Sequence, residues 1–298
     1  MTGLDRGGVG YAVAAFSLWG VLPVHFKLVQ SVDAVEILAH RVAWSAPVLL
    51  AILWASGKLG QLRPFAAEPA RLLRLLPTAV LLLGNWLVMI IAINTDRILE
   101  SSLGYFISPL VNVALGMVFL GERLRPAQAA AIALAALGVA VQVALAGVMP
   151  WLGLGLAASW GAYTILRKMM PVDGDIGLTL ETVMLAPLAV LFVLLLGPAA
   201  AFGQGDAGQS VLLAAMGVST ALPLLWYGKA ARRLPLTVLG VLNYIGPSMQ
   251  FLLAVMVFGE TFDLGRAASF ALIWAGVAVF ISDLARRPQV SPGSSQRA

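Results

Sequence analysis

Residues 109–141 read PLVNVALGMVFLGERLRPAQAAAIALAALGVAV, and residues 247–279 read PSMQFLLAVMVFGETFDLGRAASFALIWAGVAV. Both stretches begin with proline, carry a Gly-Glu pair twelve residues later and end in Gly-Val-Ala-Val, at one fixed offset of 138 residues. Chance explains single Ala or Leu matches in apolar sequence, but it does not explain this ordered set. The chain therefore contains an internal repeat, and the relative orientation of the two copies depends on the number of membrane spans in each.

The composition is that of an integral membrane protein. Hydrophobic residues make up 60% of the 298 positions and charged residues 11%, too few polar residues to cover a soluble globule. The absence of cysteine excludes disulfides, thiolate nucleophiles and thiolate metal sites. With two histidines, and no Walker-type or His-Glu-x-x-His motif, we expect no metal, no cofactor and no catalytic residues.

Polar and Pro/Gly breaks divide the chain into ten apolar runs, each about long enough to cross a bilayer as a helix. The runs are residues 8–29, 35–56, 75–93, 101–120, 127–146, 151–166, 176–196, 211–229, 236–258 and 267–284. Five precede the break at residues 147–150 and five follow it, and an odd number inverts the second copy. The predicted fold is all-α: one membrane domain, 1–285, of ten transmembrane helices in two inverted five-helix repeats, 8–147 and 151–284. The polar tail 286–298 is predicted to be disordered.

Lysine and arginine predict the orientation, because they concentrate in cytoplasmic loops. With the N-terminus inside, most of the 19 basic residues fall on the cytoplasmic side, and only Lys27, Arg97 and Arg266 fall outside. Arg41 lies within a span. Both termini are then cytoplasmic. The net charge of +5 reflects this topology, so nucleic-acid binding is not implied.

An ordered set of motifs resembles the RarD group of EamA-type permeases in the drug/metabolite transporter superfamily. The likeness extends over the chain up to the tail. Its motifs are Asn85-Trp86, Leu103-Gly104-Tyr105-Phe106, Pro109-Leu110-Val111-Asn112, Gly121-Glu122-Arg123-Leu124, Ala231-Arg232-Arg233-Leu234-Pro235 and Tyr244-Ile245.

The resemblance implies ten helices in two inverted repeats, with a central cavity lined mainly by spans one, three, four, six, eight and nine. We therefore expect a secondary transporter that moves a small organic metabolite or drug-like solute across a prokaryotic inner membrane by alternating access. Coupling to protons or to exchange stays open. The alternatives are a non-transporting scaffold or receptor subunit and, less favoured, an intramembrane enzyme.

Charged residues inside the hydrocarbon region are candidate sites or structural pairs. Glu36 and His40 share a helix face in span two, where Glu36 could instead lie at the outer interface and His40 could relay a proton or simply pack. Arg41 lies deeper and could bind an anionic group or pair with a carboxylate. On charge grounds its partner is Glu181 in span seven, either as a permanent pair or as one that a substrate disrupts.

Polar and aromatic side chains of several other spans complete the predicted substrate site. Asn112 and Gln250 occupy equivalent repeat positions, three residues after Pro109 and Pro247. Each proline frees a backbone carbonyl and is predicted to be a hinge or a packing kink. The remaining members are Asn85, Trp86, Tyr105, Asn243 and Tyr244.

Trp19 and Trp160 match in the repeat and, with Trp86 and Trp226, could form flat apolar walls or fill the core. Glu122 and Glu260 follow glycine at the ends of spans, and we interpret them as helix-end or gate contacts.

Alanine-rich faces on spans five and ten predict close helix contact, either within one chain or in a homodimer. Ala127, Ala131 and Ala135 form one face, and Ala267, Ala271 and Ala275 form the other.

Overall fold

The computed structural model describes residues 5–94, 98–147, 149, 151–203, 207–257 and 264–285. Within these ranges the chain is helical, with two short 3-10 segments and no strand. The helices are α1 (Arg6–Leu28), α2 (Ala34–Ala55), α3 (Arg63–Ala67), α4 (Pro69–Leu73), α5 (Leu76–Asn94), α6 (Ile98–Leu120), α7 (Pro126–Ala146), α8 (Trp151–Met169), α9 (Gly174–Leu196), α10 (Ala207–Arg233), α11 (Leu236–Leu242), α12 (Ile245–Met256) and α13 (Leu264–Ala285).

Each predicted apolar run coincides with a long helix, or, for the ninth run, with the pair α11 and α12. Among the described residues, five helical segments are long and apolar enough to cross a membrane: Arg6–Leu28, Ala34–Ala55, Pro126–Leu145, Gly174–Ala199 and Ala207–Arg233. Shorter apolar segments lie at Leu76–Met89, Gly104–Leu120 and Ala267–Asp283. These are the helices of a membrane protein, while ten crossings and the inverted order stay predictions. The tail 286–298 lies outside the described residues.

Local signals in the sequence start and end the helices. Asp5 accepts a hydrogen bond from the Gly8 backbone N–H (3.1 Å) at the start of α1, and Asp33 accepts one from Val35 (2.8 Å) at the start of α2. Gly147 ends α7 with φ 67°, a left-handed conformation that favours glycine. These capping residues therefore define where the helices begin and end.

The ninth apolar run is broken in its first half. α11 ends at Leu242, and α12 begins at Ile245 after the turn at Asn243 and Tyr244. Pro247 has no N–H to donate to the Asn243 carbonyl, and the Gly246 N–H donates to that carbonyl instead (3.2 Å). Pro109, by contrast, lies inside α6, which runs without interruption.

Long helices of the first half pack mainly against those of the second. α1 packs against α10 and α12, α2 against α9 and α10, α5 and α6 against α8, α6 against α11, and α7 against α13. α2 and α9 are antiparallel, because contacts join their opposite ends. Lys58, just after α2, hydrogen-bonds Asp175 in the first turn of α9 (2.6 Å), and Glu36, in the first turn of α2, accepts from Ala201 beyond α9 (2.6 Å).

α7 and α13 approach each other closely at small residues. A Cβ on Gly138 would lie 2.7 Å from Ile273 Cγ1, and a Cβ on Gly276 would lie 2.5 Å from the Ala131 carbonyl oxygen. Ser269 Oγ donates to the Gly138 carbonyl (2.8 Å). The small residues thus make an intramolecular seam, and a homodimer stays an untested prediction.

Candidate functional site

An aromatic cluster lies between α1, α8 and α10. Its members are Phe16, Trp19, Trp160, Tyr163 and Tyr227. Trp19 and Trp160 pack edge to face with ring centroids 5.4 Å apart, and Tyr227 lies 5.6 Å from the first and 5.0 Å from the second. The Tyr227 hydroxyl shares a hydrogen bond with Thr164 Oγ1 (2.6 Å). The repeat-matched tryptophans are therefore brought together, as apolar walls between the two halves.

Arg41 is enclosed by neutral side chains. The residue is 4% exposed, and its Nε donates to Thr220 Oγ1 on α10 (3.1 Å). Its guanidinium carbon lies 4.8 Å from the ring centroid of Trp86 and 5.3 Å from that of Phe26. Within the described structure, Arg41 Nη1 has no hydrogen-bond partner.

Glu36 and His40, five residues and one residue before Arg41 on α2, are also buried. Glu36 Oε1 accepts hydrogen bonds from the backbone N–H groups of Ala201 (2.6 Å) and Phe202 (3.3 Å). His40 Nε2 lies 3.6 Å from the same oxygen, and its ring packs 5.0 Å from the Phe202 ring. Glu36 thus ties α2 to the segment after α9, and His40 is packed beside it.

Glu181 is the centre of a second polar group, the Glu181 network, which comprises Glu181, Thr78, Tyr163 and Arg167. Glu181 is fully buried and accepts from Thr78 Oγ1 (2.5 Å) and Tyr163 OH (3.4 Å). Arg167 Nη1 lies 3.6 Å from Glu181 Oε1. Arg167 Nη2 also donates to the Gly174 carbonyl (3.1 Å), so this arginine fastens α8 to the first turn of α9.

The expected pair between Arg41 and Glu181 does not form. Each is the eighth residue of its helix, about 10 Å from the first residue at 1.5 Å per residue. Because α2 and α9 are antiparallel, these equal positions lie near opposite ends, roughly 12 Å apart along the axes. Repeat-matched residues meet only near the middle of such a pair, and these two are not in the middle.

Several predicted polar residues make contacts between helices. Asn85 Nδ2 donates to the Leu156 carbonyl (2.9 Å) and to Ser159 Oγ (2.8 Å), which joins α5 to α8. Gln250 Nε2 donates to the Trp19 carbonyl (3.2 Å), which joins α12 to the aromatic cluster. These side chains are engaged with protein atoms.

Asn112 and Tyr244 are buried with unused hydrogen-bonding groups. Asn112 is fully buried, faces Gly161 and Gly240, and lies near the Tyr227 hydroxyl, although no hydrogen bond of standard geometry reaches its side-chain polar atoms within the described chain. The Tyr244 hydroxyl is likewise without a partner there and lines a small recess with Pro109. Asn243 is half-buried at the break between α11 and α12.

Two more predicted residues lie at the edge of the site. Tyr105 is 38% exposed, and its hydroxyl lies 2.8 Å from Met89 Sδ. Trp226 is half-buried against the hydrophobic core beside the aromatic cluster. Neither residue touches the Glu181 network through a described hydrogen bond.

Glu122 makes a helix-end contact. Its carboxylate accepts from the backbone N–H groups of Leu236 (2.6 Å) and Thr237 (2.8 Å) and from the Thr237 hydroxyl (2.5 Å), at the start of α11. Glu260 lies outside the described residues. The roles of Glu122, Pro109 and Pro247 in gating stay predictions.

Sequence reasoning missed Thr78, Tyr163, Arg167, Thr220 and Tyr227. A signal was present for two of them, because Tyr163 and Arg167 are four residues apart on one face of α8 and α8 joins α9 through a short turn. An arginine near that turn is well placed for a carboxylate two turns into the next helix. For Thr78, Thr220 and Tyr227 the sequence carries no comparable signal.

The chain is similar to known proteins along most of its length. Residues 6–144 match the EamA-like transporter family. The chain is 43% identical over 278 residues to an uncharacterized transporter from Vibrio cholerae, covering 93% of this chain and 92% of that protein. It is 43% identical over 280 residues to Protein RarD from Salmonella typhimurium, covering 93% and 95%.

A solved crystal structure shares the fold. Its TM-score is 0.72 at 24% identity, and the match covers 94% of this chain and 99% of that one. The identity to the RarD protein over nearly its whole length, together with the family match in the first half, establishes the relationship. The chain belongs to the RarD group of the EamA-like transporter family.

Proposed function

We propose that this protein is a secondary transporter, which moves a small organic solute across the membrane by alternating access. The observation that carries the proposal is the pairing of the two halves. α1, the first long helix of the first half, packs against α10 and the α11–α12 pair, which are the third and fourth spans of the second half. In the same way α8, the first long helix of the second half, packs against α5 and α6, the third and fourth spans of the first half. α2 with α9, α6 with α11, and α7 with α13 pair directly. Exchanging the halves reproduces these pairs, which supports two inverted five-helix repeats, while α2 packs more extensively on α10 than its counterpart α9 does on α5.

We propose an orientation in a prokaryotic inner membrane with both termini cytoplasmic, and contacts at the helix ends support one part of it, that these ends share one side of the membrane. Arg233 at the end of α10 lies 4.0 Å from Asp5 before α1, and Arg125 before α7 lies 2.7 Å from Asp283 near the end of α13. The pair of Lys58 with Asp175 joins the end of α2 to the start of α9 and raises the pKa of the Lys58 ammonium. All three contacts join ends predicted to face the cytoplasm.

The aromatic cluster and the two polar groups beside it form the proposed transport site. Trp19 and Trp160 come from equivalent first helices of the two halves, so relative movement of the halves changes the space between them. Arg41 lies toward one end of the bundle and Glu181 toward the other. A solute that contacts both halves would bind at this interface, and rocking of one half against the other would expose it to each side in turn.

Counterflow in proteoliposomes tests the proposal. The purified full chain is reconstituted with a broad pool of labelled metabolites, with and without an imposed pH gradient, beside Arg41→Ala and the exposed control Arg71→Gln. We expect flux for the native chain and the control, and at least about a tenfold loss for Arg41→Ala, equivalent to 1.4 kcal/mol of solute interaction.

The result also separates the alternatives. Absence of flux for every solute at every gradient would reject a carrier. Saturable binding without flux would instead favour a receptor or scaffold, and chemical conversion of a solute would favour an enzyme. Dependence of flux on the pH gradient would identify proton coupling, and dependence on internal solute would identify exchange.

A further inference from the structure

Arg41 is a buried cation without a counterion in the described part of the chain. No described carboxylate oxygen lies within 4.0 Å of it, and its single side-chain hydrogen bond is to the neutral Thr220 hydroxyl. Glu36, the nearest acid on the same helix, is engaged by the backbone N–H groups of Ala201 and Phe202. An enclosed charge with a free N–H donor is costly unless an anion binds it.

Three other cations that reach into the described bundle have a carboxylate or backbone carbonyls beside them. Arg167 has the Glu181 carboxylate and the Gly174 carbonyl, and Lys58 has Asp175. Lys168 Nζ donates to the carbonyls of Ala231 (2.8 Å) and Leu234 (2.5 Å). Arg167 Nη1 also has no hydrogen-bond partner among the described residues, but it lies 3.6 Å from the Glu181 carboxylate. The lack of a carboxylate within 4.0 Å therefore distinguishes Arg41 from Arg167 and Lys58 in the described bundle.

The surroundings of Arg41 are flat and apolar. Trp86 and Phe26 present ring faces to the guanidinium, and Trp86 and Thr220 also line a narrow recess. The remaining walls of the recess are mostly aliphatic and include Leu82, Leu178, Leu185 and Leu224. As it stands the recess has room for about one water molecule, so the helices must separate before a solute can enter.

We propose that the solute is an organic anion with a planar apolar body, whose charged group is bound by Arg41. The proposal rests on the transport function above, and it assigns the chemical class of the cargo. The planar guanidinium fork suits a carboxylate or similar oxyanion, because two parallel N–H groups can donate to two oxygens. Trp86, Phe26 and the aliphatic recess suit the apolar body.

Matched acids and amides test the charge preference. The purified full chain is titrated with benzoate and cinnamate, and with their neutral isosteres benzamide and cinnamamide, near pH 7.5. Binding is followed by intrinsic tryptophan fluorescence and by the shift of the thermal unfolding midpoint. We expect each acid to bind at least tenfold more tightly than its amide. Chloride alone should bind more weakly than either acid.

Variants then assign the preference to Arg41. Arg41→Gln should remove the difference between acid and amide, whereas Arg41→Lys should retain an anion preference with weaker carboxylate binding. Arg71→Gln, an exposed arginine paired with Glu68, should behave as the native chain does.

Equal affinity of the native chain for acids and amides would overturn the proposal without any variant, as would an anion preference that survives in Arg41→Gln. Chloride binding as tight as that of the acids would also overturn it, because the apolar body would then contribute nothing. Counterflow distinguishes this failure from failure of transport. An anion preference without flux rejects the carrier and keeps the anion site, whereas flux of neutral and anionic solutes alike rejects the anion site and keeps the carrier.

Discussion

Glu181 and Arg41 show two ways of burying a charge. Glu181 has two hydroxyl donors and the Arg167 guanidinium, so most of the solvation lost on burial is replaced by protein groups. Arg41 has a hydroxyl, two ring faces and, among the described residues, an N–H without a partner. The contacts of Glu181 suit a structural role, and those of Arg41 suit a ligand-binding role.

Removing the Glu181 charge should therefore destabilise the fold. Glu181→Gln leaves the Arg167 guanidinium without its carboxylate, and we expect a loss of about 2 kcal/mol, below the usual cost of a broken buried pair because Arg167 also binds backbone carbonyls. The measurement is the free energy of unfolding in an SDS titration of mixed micelles.

Asp173→Asn is the matched control, because it removes the charge of an exposed aspartate paired with Arg232. We expect a change within about 0.5 kcal/mol. Similar losses in both variants would show that the Glu181 network is no more than a surface pair. The double change Glu181→Leu with Arg167→Met should recover part of the stability, because it leaves no charge unpaired.

At the site, the sequence was wrong about which charged residues meet, and the roles that it predicts for its site residues stay predictions. It selected Arg41, Glu181 and the two repeat-matched tryptophans by cost of burial and by position. The predicted pair of Arg41 with Glu181 was wrong because it rested on equivalent positions in the repeat. In antiparallel helices, equivalent positions away from the middle lie at different depths. Partners such as Thr220 and Tyr227 are ordinary residues whose role arises only from packing.

At the scale of the helix, Glu122 shows how the end of one element fixes the start of another. Its carboxylate faces the first free N–H groups of α11, where the helix dipole also favours negative charge. The Gly-Glu pair of the first repeat copy therefore locks the end of α6 to the start of α11. Any movement of α11 relative to α6 must break or carry this contact.

Loss of the cap should weaken that junction. Glu122→Ala leaves the Leu236 and Thr237 N–H groups without this acceptor, and we expect a loss of about 1–2 kcal/mol. Glu122→Gln, which keeps one side-chain carbonyl oxygen, should lose less.

Glu68→Ala, at an exposed glutamate paired with Arg71, is the control and should change stability by less than about 0.5 kcal/mol. Unfolding free energies that are the same for Glu122→Ala and Glu68→Ala would contradict the capping role.

Hydropathy located the long helices because every apolar run of this length must be helical in a bilayer. It missed α3 and α4 in the polar connector, which start at or next to prolines in their first turns. It also joined α11 and α12 into one run, because hydropathy does not detect the turn at Asn243 and Tyr244. Pro247 was the available signal of that break.

At the scale of the whole molecule, the absence of cysteine makes the chain a ready background for site-directed labelling. Ser31 and Ser56 flank α2, and both are exposed. Asp173 and Ala199 flank α9 in the same way. The antiparallel pair therefore offers two tests of orientation in one protein.

Single cysteines at these positions should label according to side. In spheroplasts, an impermeant maleimide should modify Ser31→Cys and Ala199→Cys, and should modify Ser56→Cys and Asp173→Cys only after permeabilisation. The reverse pattern would contradict the proposed orientation, and labelling of both ends of either helix in intact spheroplasts would contradict its crossing.

The seam between α7 and α13 sets a length within the molecule. At Gly138 and Gly276 each helix lies directly against the other, and Ser269 hydrogen-bonds across the contact, so the two helices have little room to approach further. Whatever the rest of the bundle does, that spacing can hardly shrink. Spin labels on α7 and α13 should therefore keep a constant separation. Changes in the distance between labels on α1 and α10 can then be compared with that constant distance to identify the helices that move.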